Sequence, residues 1–237
     1  MVRNDENKGP ILRGKDIKKY GCAHSRYLIT IPCGFTNSLR EGMDPETYIK
    51  STYSAIYSHF MKVHDEYLVK QSKKKSKGLL NRDDMGEYWW ELRSCAYMED
   101  FSKQKIIYPN MTKYLPFYYD VKGHYTNQKC FIITGKNLAY LTAFFNSSLF
   151  KYCFRENFPE LQGGTRELSK IFFDKIPVKQ IDSQMNQKFE EKILRIQDNI
   201  AQGRDTRELE IELDKEIFNL YGLNEDEVKE IGFIEIK

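Results

Sequence analysis

Aromatic and cationic side chains alternate closely in one stretch of the chain, residues 87–112, which reads EYWWELRSCAYMEDFSKQKIIYPNMT. It holds both tryptophans, Trp89 and Trp90, together with three tyrosines and the cations Arg93, Lys103 and Lys105. Aromatic rings at this density usually form a hydrophobic core, and rings beside cations can also bind nucleic acid. We therefore expect both tryptophans in the core and a nucleic-acid surface on the opposite face of the stretch.

Two further segments are rich in cations, residues 10–20 (PILRGKDIKKY) and residues 72–86 (SKKKSKGLLNRDDMG). Residues 1–180 contain 29 Lys and Arg against 19 Asp and Glu, a net charge of +10, whereas residues 181–237 carry −7. A polyanion would be attracted by the first part and repelled by the second. The loop at 72–86 is interpreted either as a solubilising loop or as an arm that contacts phosphates.

Signatures of metal, cofactor or nucleophile chemistry are weak. His59 and His64 are five residues apart on a predicted helix, on different faces, so no metal site is predicted. Glu190, Glu191 and Lys192 have the residue types of a nuclease site, but they lie on the solvated face of another predicted helix. No GxGxxG or CxxC occurs, and we expect reduced, mostly buried thiols at the five cysteines, Cys22, Cys33, Cys95, Cys130 and Cys153.

The chain has 237 residues, enough to bury a substantial core. No run of about 18 apolar residues occurs, so no membrane span is expected. The first residues, MVRNDENKGP, lack the apolar segment of a signal peptide. We therefore expect a cytoplasmic protein without a membrane partner.

The secondary-structure signals alternate between strands and helices. Residues 26–32 predict a strand, and Asp44 with Pro45 begins a helix that extends to about Gln71, with one buried face. Residues 116–120 and 128–134 predict two strands joined through VKGHYTN, and residues 137–154 predict a second amphipathic helix. A loop with Gly163 and Gly164 at its tip and a closing strand, KIFFDKIPV, follow.

Residues 181–237 predict a helical tail. Apolar stripes at Met185 to Ile200 and at Leu209 to Leu220 flank Gly203, and Asp205 with Glu208 has capping-box spacing. We expect an α+β fold, with a curved, mostly antiparallel sheet, two flanking helices and a C-terminal helical hairpin. The predicted domains are residues 1–180 and a tail, 181–237, which packs on the first domain or contacts another domain or copy.

The order of RGKDI, YWWELR, KIIYP, NQKCFIITG, NLAYLTAFFNSSLF and KIPV along residues 10–178 resembles the C-terminal specificity domain of TaqI-like adenine-specific DNA methyltransferases. That domain also occurs at the end of fused type IIG restriction-modification enzymes of bacteria. The resemblance implies that the chain recognises a DNA sequence across a cleft from a methyltransferase domain, into which the target adenine is flipped.

The methyltransferases of this family hold S-adenosylmethionine on a glycine-rich turn and grip adenine with an Asn-Pro-Pro-Tyr loop. This chain has no Pro-Pro pair, and its one Gly-Gly pair does not belong to a strand-turn-helix unit. The resemblance therefore implies a recognition module that is not itself an enzyme. S-adenosylmethionine is expected only in the missing methyltransferase domain, and the expected partners are that domain and double-stranded DNA.

Cations position the DNA backbone, and the forked guanidinium of arginine fits guanine. We expect backbone contacts from Arg13, Lys15, Lys18, Lys19, Lys73, Lys74, Lys75, Lys77 and Arg82. We expect base contacts from Arg93, His124, Tyr125, Arg155 and Arg166. RGKDI and YWWELR could instead serve folding, with Asp16 and Glu91 pairing neighbouring cations.

Two other functions stay open at this point. The chain could be a protein-interaction module that docks through its C-terminal helices and does not bind DNA by itself. It could also be an autonomous enzyme of a type that its sequence does not reveal.

Overall fold

The computed structural model describes residues 8–23, 26–70 and 78–233. Within these residues the chain forms two compact units. The smaller unit comprises residues 8–9, 28–70 and 78–98, and the larger unit comprises residues 10–23, 26–27 and 99–233. No helix in the described ranges is both long enough and apolar enough to cross a membrane.

Strands and helices are numbered separately in chain order. The strands are β1 (Lys8–Leu12), β2 (Ile17–Lys18), β3 (Gly21–Cys22), β4 (Tyr27–Ile29), β5 (Lys105–Pro109), β6 (Met111–Thr112), β7 (Tyr118–Asp120), β8 (Tyr125–Thr126), β9 (Cys130–Ile133), β10 (Glu160–Leu161) and β11 (Thr165–Glu167). The helices are α1 (Phe35–Leu39), α2 (Pro45–Thr52), α3 (Ser54–Lys70), α4 (Leu138–Asn146), α5 (Ser148–Phe154), α6 (Lys170–Phe173), α7 (Ser183–Ala201), α8 (Arg207–Tyr221) and α9 (Glu225–Ile231). The predicted α+β class is confirmed.

Strand β5 lies at the centre of the larger unit. It pairs antiparallel with β7 on one side, Ile106 opposite Tyr119, and with β9 on the other, Ile107 opposite Ile132. Because successive side chains of a strand point to opposite faces, Ile106 joins the main hydrophobic core and Ile107 joins a smaller cluster. All five residues of β5 are buried, which explains its continuous apolar run.

The two strands predicted at 116–120 and 128–134 are present as β7 and β9, but they do not pair with each other. Strand β5 lies between them, and their connection contains β8, which runs parallel to β1 with Tyr125 opposite Ile11. The nine-residue connection between β7 and β9 leaves room for this third strand, which the sequence did not predict. The antiparallel sheet is therefore divided into small pieces, of which the β7-β5-β9 sheet is the central one.

The helix predicted over residues 137–154 is two helices, α4 and α5, separated at Ser147. The Ser147 side chain accepts a hydrogen bond from the Phe150 amide at 3.1 Å and so caps α5. Almost every residue of α4 is buried, so this helix is not amphipathic. Its phenylalanines, Phe144 and Phe145, pack with Phe117 and Phe150 in the main core.

The strand predicted in KIFFDKIPV is wrong, since residues 170–173 form helix α6. A short apolar run fits a strand or a buried helical turn equally well, and packing decides between them. Here the Phe173 ring lies 5.1 Å from the rings of both Tyr108 and Phe158. The loop predicted before it also contains structure, because β10 and β11 pair across Gly163 and Gly164, both at positive φ.

The helical tail forms the predicted hairpin of α7 and α8, which packs against α4. Phe189 and Ile193 of α7 and Leu213 and Ile217 of α8 are buried in the same cluster as Phe144. The tail thus lies within the larger unit, and the domain boundary at residue 180 stays a prediction. Helix α9 has a capping box of Asn224 and Glu227, whereas α8 begins after Thr206 instead of Asp205.

The smaller unit is organised around Trp90 and Glu91. Trp90 is 5% exposed and donates to the Thr36 hydroxyl at 2.8 Å, so its predicted core role is confirmed. Both carboxylate oxygens of buried Glu91 accept from backbone amides, those of Gly34, Thr36 and Glu87, at 2.9–3.1 Å. Glu91 therefore fixes the start of α1, and among the described residues its carboxylate binds backbone amides and no cation.

Asp44 caps the helix of the smaller unit as predicted, because its side chain accepts from the Thr47 amide at 3.0 Å. The helix is interrupted at Tyr53, which separates α2 from α3. The predicted buried face of this helix is correct in its first half only, since Val63 is 40% exposed and His64 is buried. The cysteines are free as expected, but Cys33 and Cys153 are exposed and only Cys130 is buried.

A buried ion pair joins two strands of the central sheet. Lys105 Nζ of β5 lies 2.6 Å from the Asp120 carboxylate of β7, and both side chains are 0% exposed. Asp120 also contacts His124 Nδ1 at 2.7 Å, and Lys105 donates to the Phe101 carbonyl at 2.5 Å. Burial raises the pKa of Asp120, but hydrogen bonds from His124 and Lys105 lower it by more, so the net pKa lies below its ordinary value.

We expect Lys105→Met to lower the free energy of unfolding by about 3–5 kcal/mol, because Asp120 would keep a buried, uncompensated charge. The exposed Lys103→Met is the matched control. The native Asp120 carboxylate stabilises the fold above its unfolded pKa of about 3.9, and this contribution is lost as pH falls through the lower folded pKa. The free energy of unfolding in urea should therefore differ strongly between the native chain and Lys105→Met at neutral pH, and this difference should narrow towards about pH 4. A constant difference would contradict this account.

We expect Ile193→Ala to cost about 2–5 kcal/mol, because this side chain is fully buried against the main core. Its neighbour Leu194 is 37% exposed, and Leu194→Ala should change stability by only about 0.5 kcal/mol. The two variants lose similar side-chain volumes, one at a buried position of α7 and the other at an exposed position. Equal effects in urea unfolding would show that the tail does not fold with the core.

Candidate nucleic-acid interface

A groove on the larger unit gathers cations from three parts of the chain. Its volume is about 1030 Å³, and one acidic residue, Glu210, lines it. We call it the basic groove, and its cationic lining residues are Arg13, Lys15, Lys18, Lys19, Lys113 and Lys129. Because no other carboxylate lines it, the basic groove should attract polyanions.

One wall of the groove is built by the RGKDIKKY segment. Arg13 grips Asp16 through two nitrogens, Nε at 2.8 Å and Nη2 at 2.9 Å, and the Arg13 amide donates to the same carboxylate at 2.9 Å. This closes a tight turn over residues 14–16, after which β2 and β3 pair antiparallel. The hydrogen bond from Arg13 is the main cause that holds the pKa of Asp16 below its ordinary value, so the pair stays ionised at neutral pH.

The turn also requires glycine at position 14. A Cβ there would lie 3.1 Å from the Lys129 carbonyl oxygen and 3.4 Å from Pro109 Cβ. Gly14 thus lets the turn sit against the segment that carries Lys129. The close approach brings the segment around Gly14 and the segment around Lys129, which is 115 positions further along the chain, to the same groove.

The six cations of the groove are not equivalent. Arg13 is paired with Asp16, and Lys19 Nζ lies 2.5 Å from the Glu210 carboxylate. The other four, Lys15, Lys18, Lys113 and Lys129, are exposed and form no ion pair with the described residues. These four lysines are therefore the ones available to a phosphate backbone.

The opposite wall was only partly visible in the sequence. Residues 111–114 (Met-Thr-Lys-Tyr) and 127–129 contribute Lys113, Tyr114 and Lys129, which were not among the predicted contacts. Single lysines in separate loops give no local charge run, so no sequence signal marks them. The pairing of β6 with β11, Thr112 opposite Arg166, and the hydrogen bond from the Asn110 amide to the Lys129 carbonyl place the first of these loops at the groove.

Behind Lys19 lies a buried polar cluster that ties the groove to the helices. Asp214 of α8 accepts from the Ser148 amide at 2.9 Å and hydroxyl at 2.6 Å, and Lys151 donates to the Asn146 carbonyl at 2.8 Å. Burial lowers the pKa of Lys151 well below its ordinary value, and burial raises the pKa of Asp214. Both groups are satisfied inside the fold, and we interpret the cluster as structural.

The predicted base contacts separate into two groups. Arg166 is 4% exposed and binds Glu156, Glu160 and the Phe158 carbonyl, and His124 is 4% exposed and held by Asp120. These two side chains stabilise the fold and do not reach the surface.

Among the remaining predicted contacts, Arg93 and Arg155 are exposed, while Tyr125 is half-buried with its ring 5.2 Å from that of Phe101. Arg82 donates to the carbonyls of Trp89 and Glu91, which occupies its guanidinium within the smaller unit. The predicted backbone contacts Lys73, Lys74, Lys75 and Lys77 lie outside the described residues.

The part of the chain that the structure describes contains no group of three His, Cys, Asp or Glu able to hold a metal ion. In the segment considered as a nuclease site, Glu190 accepts from the Tyr119 hydroxyl at 2.7 Å and Lys192 pairs with Glu216. Both side chains thus serve helix packing.

A comparison with solved structures finds two enzymes that superpose on this chain. The type IIL restriction-modification enzyme MmeI, solved in complex with DNA, superposes with a TM-score of 0.52 at 12% identity, over 93% of this chain and 29% of that one. The type IIG restriction endonuclease BpuSI gives a TM-score of 0.48 at 14% identity, over 80% of this chain and 21% of that one. This chain therefore spans less than a third of the length of either enzyme. No curated protein matches its sequence significantly.

The family comparison is more specific. A model of the TaqI-like C-terminal specificity domain matches residues 9–178, which is well over half of the chain. This region includes the RGKDIKKY wall, the central strand β5 and the helix pair of α4 and α5. The resemblance noted in the sequence is confirmed, and the chain belongs to the family of TaqI-like C-terminal specificity domains.

Proposed function

We propose that this chain recognises the base sequence of double-stranded DNA for a restriction-modification enzyme whose chemistry resides elsewhere in the parent protein. The observation that carries the proposal is the basic groove, in which Lys15, Lys18, Lys113 and Lys129 converge and form no ion pair with a described residue. Family membership supports the same conclusion, because the family is one of specificity domains.

In this proposal the four lysines contact phosphates and fix the position of the duplex, while neighbouring side chains contact base edges. Arg13 and Lys19 hold the groove walls through Asp16 and Glu210 and add positive potential. Lys73, Lys74, Lys75 and Lys77 remain proposed backbone contacts. Arg93, Arg155 and Tyr125 remain proposed base contacts, whereas His124 and Arg166 are assigned to the fold.

The catalytic portion is proposed to be an adenine methyltransferase domain, which would bind S-adenosylmethionine. The chain covers only 29% of the length of MmeI, and that enzyme was solved in complex with DNA. A parent protein with a separate catalytic domain would account for this difference in length. Cleavage of DNA by the same parent is proposed as well, because MmeI is a restriction-modification enzyme.

Docking through the tail has less support as the main function. The apolar stripes that would bind a partner include Phe189, Ile193, Ile196 and Leu213, each at most 1% exposed. These side chains are already covered by the core of their own chain. We therefore assign the hairpin of α7 and α8 to the scaffold of the DNA-reading unit.

The salt dependence of duplex binding tests the proposal. Each neutralised phosphate contributes about 0.9 to the slope of log affinity against log salt concentration. Replacing Lys15, Lys18, Lys113 and Lys129 together by glutamine should lower that slope by up to about 3.6. Fluorescence anisotropy with a labelled duplex, from about 50 to 200 mM NaCl, measures it.

The matched control replaces four exposed lysines outside the groove, Lys136, Lys188, Lys215 and Lys229, by glutamine. It changes the net charge equally and should leave most of the slope intact. Equal loss in both variants would point to nonspecific attraction, and a flat salt response of the native chain would refute the proposal.

A further inference from the structure

The turn over residues 112–115 presents two side chains to the basic groove in a strained backbone. Leu115 has φ 48°, in the left-handed region, and it directly precedes Pro116. Non-glycine residues rarely adopt this conformation, which costs on the order of 1–3 kcal/mol and persists only where the surroundings enforce it. Leu115 is 2% exposed in the main core, so its buried side chain holds the turn in place.

Hydrogen bonds fix the chain on both sides of the turn. Before it, the Asn110 amide donates to the Lys129 carbonyl at 2.9 Å, and the Leu168 amide donates to the Asn110 carbonyl at 2.8 Å. After it, the side-chain amide of buried Asn146 bonds both the N–H and the C=O of Phe117, at 3.1 and 2.8 Å. The turn is therefore anchored before any ligand binds.

The residues at the tip are large and exposed. Tyr114 is 54% exposed and Met111 is 49% exposed, and both line the basic groove together with Lys113. The Tyr114 amide donates to the Thr112 hydroxyl at 3.0 Å, which further fixes the tip. Within the described residues, no aromatic ring packs against Tyr114.

A single exposed aromatic residue is common on protein surfaces and by itself indicates nothing. Tyr114 differs because the next residue, Leu115, has a strained backbone, the turn is anchored on both sides, and the ring lies among the lysines that would contact phosphates. A rigid aromatic side chain loses little conformational entropy on binding and offers a large apolar surface. Such a side chain beside phosphate contacts is suited to contact a base.

We propose that Tyr114 is a specificity-determining residue that contacts a thymine in the major groove, while Lys113 contacts the adjacent phosphate. The inference rests on the proposed DNA-reading function. Thymine is named because its 5-methyl is the apolar group that base pairs present in the major groove. Met111 borders the same site and extends its apolar surface.

The test separates base contact from phosphate contact. The full 237-residue chain is incubated with duplexes that carry a randomised central segment, and the bound duplexes are sequenced. Tyr114→Ala should weaken a thymine preference at one position by about tenfold and leave the salt slope unchanged. Lys113→Gln should lower the salt slope by about 0.9 and leave the base preferences unchanged.

Two controls sharpen the assignment. Tyr152 is also about half exposed, at 50%, but it does not line the groove, so Tyr152→Ala should behave as the native chain does. Tyr114→Phe keeps the ring and should keep the preference, which excludes a hydroxyl contact with phosphate. Replacing the preferred thymine by deoxyuridine should weaken native binding and have little effect on Tyr114→Ala.

The outcomes distinguish the two proposals. If the native chain selects a sequence and Tyr114→Ala keeps every preference, the role of Tyr114 is refuted while the DNA-reading function stands. The same conclusion holds if the deoxyuridine duplex binds the native chain equally well. If the native chain selects no sequence, both proposals are refuted.

Discussion

The position of strand β5 is the constraint on which the larger unit depends. Its backbone is paired on both sides, its side chains are buried on both faces, and Lys105 ties it to Asp120 of β7. Pro109 at its end lines the groove, and Asn110 follows directly. The hydrophobic core and the charged surface are therefore fixed by one element, because displacement of β5 would disturb both.

Much of the fold was predictable because its signals are local. The cap at Asp44, the capping box at Asn224 and the stripe of α7 each depend on residues within a few positions of one another. The errors arose where distant contacts decide. Residues 170–173 are helical because Phe173 fills a space between Tyr108 and Phe158, which no local pattern shows.

The candidate site shows the same division between features that local sequence predicts and features that distant contacts decide. The RGKDIKKY wall was predicted from a run of cations, and it lies in the groove as one piece. Lys113 and Lys129 are isolated in the sequence and meet that wall only through the pairing of β6 with β11 and the close approach of Gly14. Conversely, Arg166 and His124 have the right chemistry, but carboxylates hold them in the interior. Residue type alone could not distinguish a buried cation from an available one.

The anchoring of the turn at Leu115 has a consequence for how such domains diversify. Leu115 and Asn146 fix the turn from the core side, and neither lines the groove, whereas Met111, Lys113 and Tyr114 face outward. Substitutions at the outward positions would leave the supporting contacts unchanged. Under the proposed DNA-reading function, a few surface exchanges would change the preferred target sequence without the accompanying loss of stability that usually slows the evolution of a new binding preference.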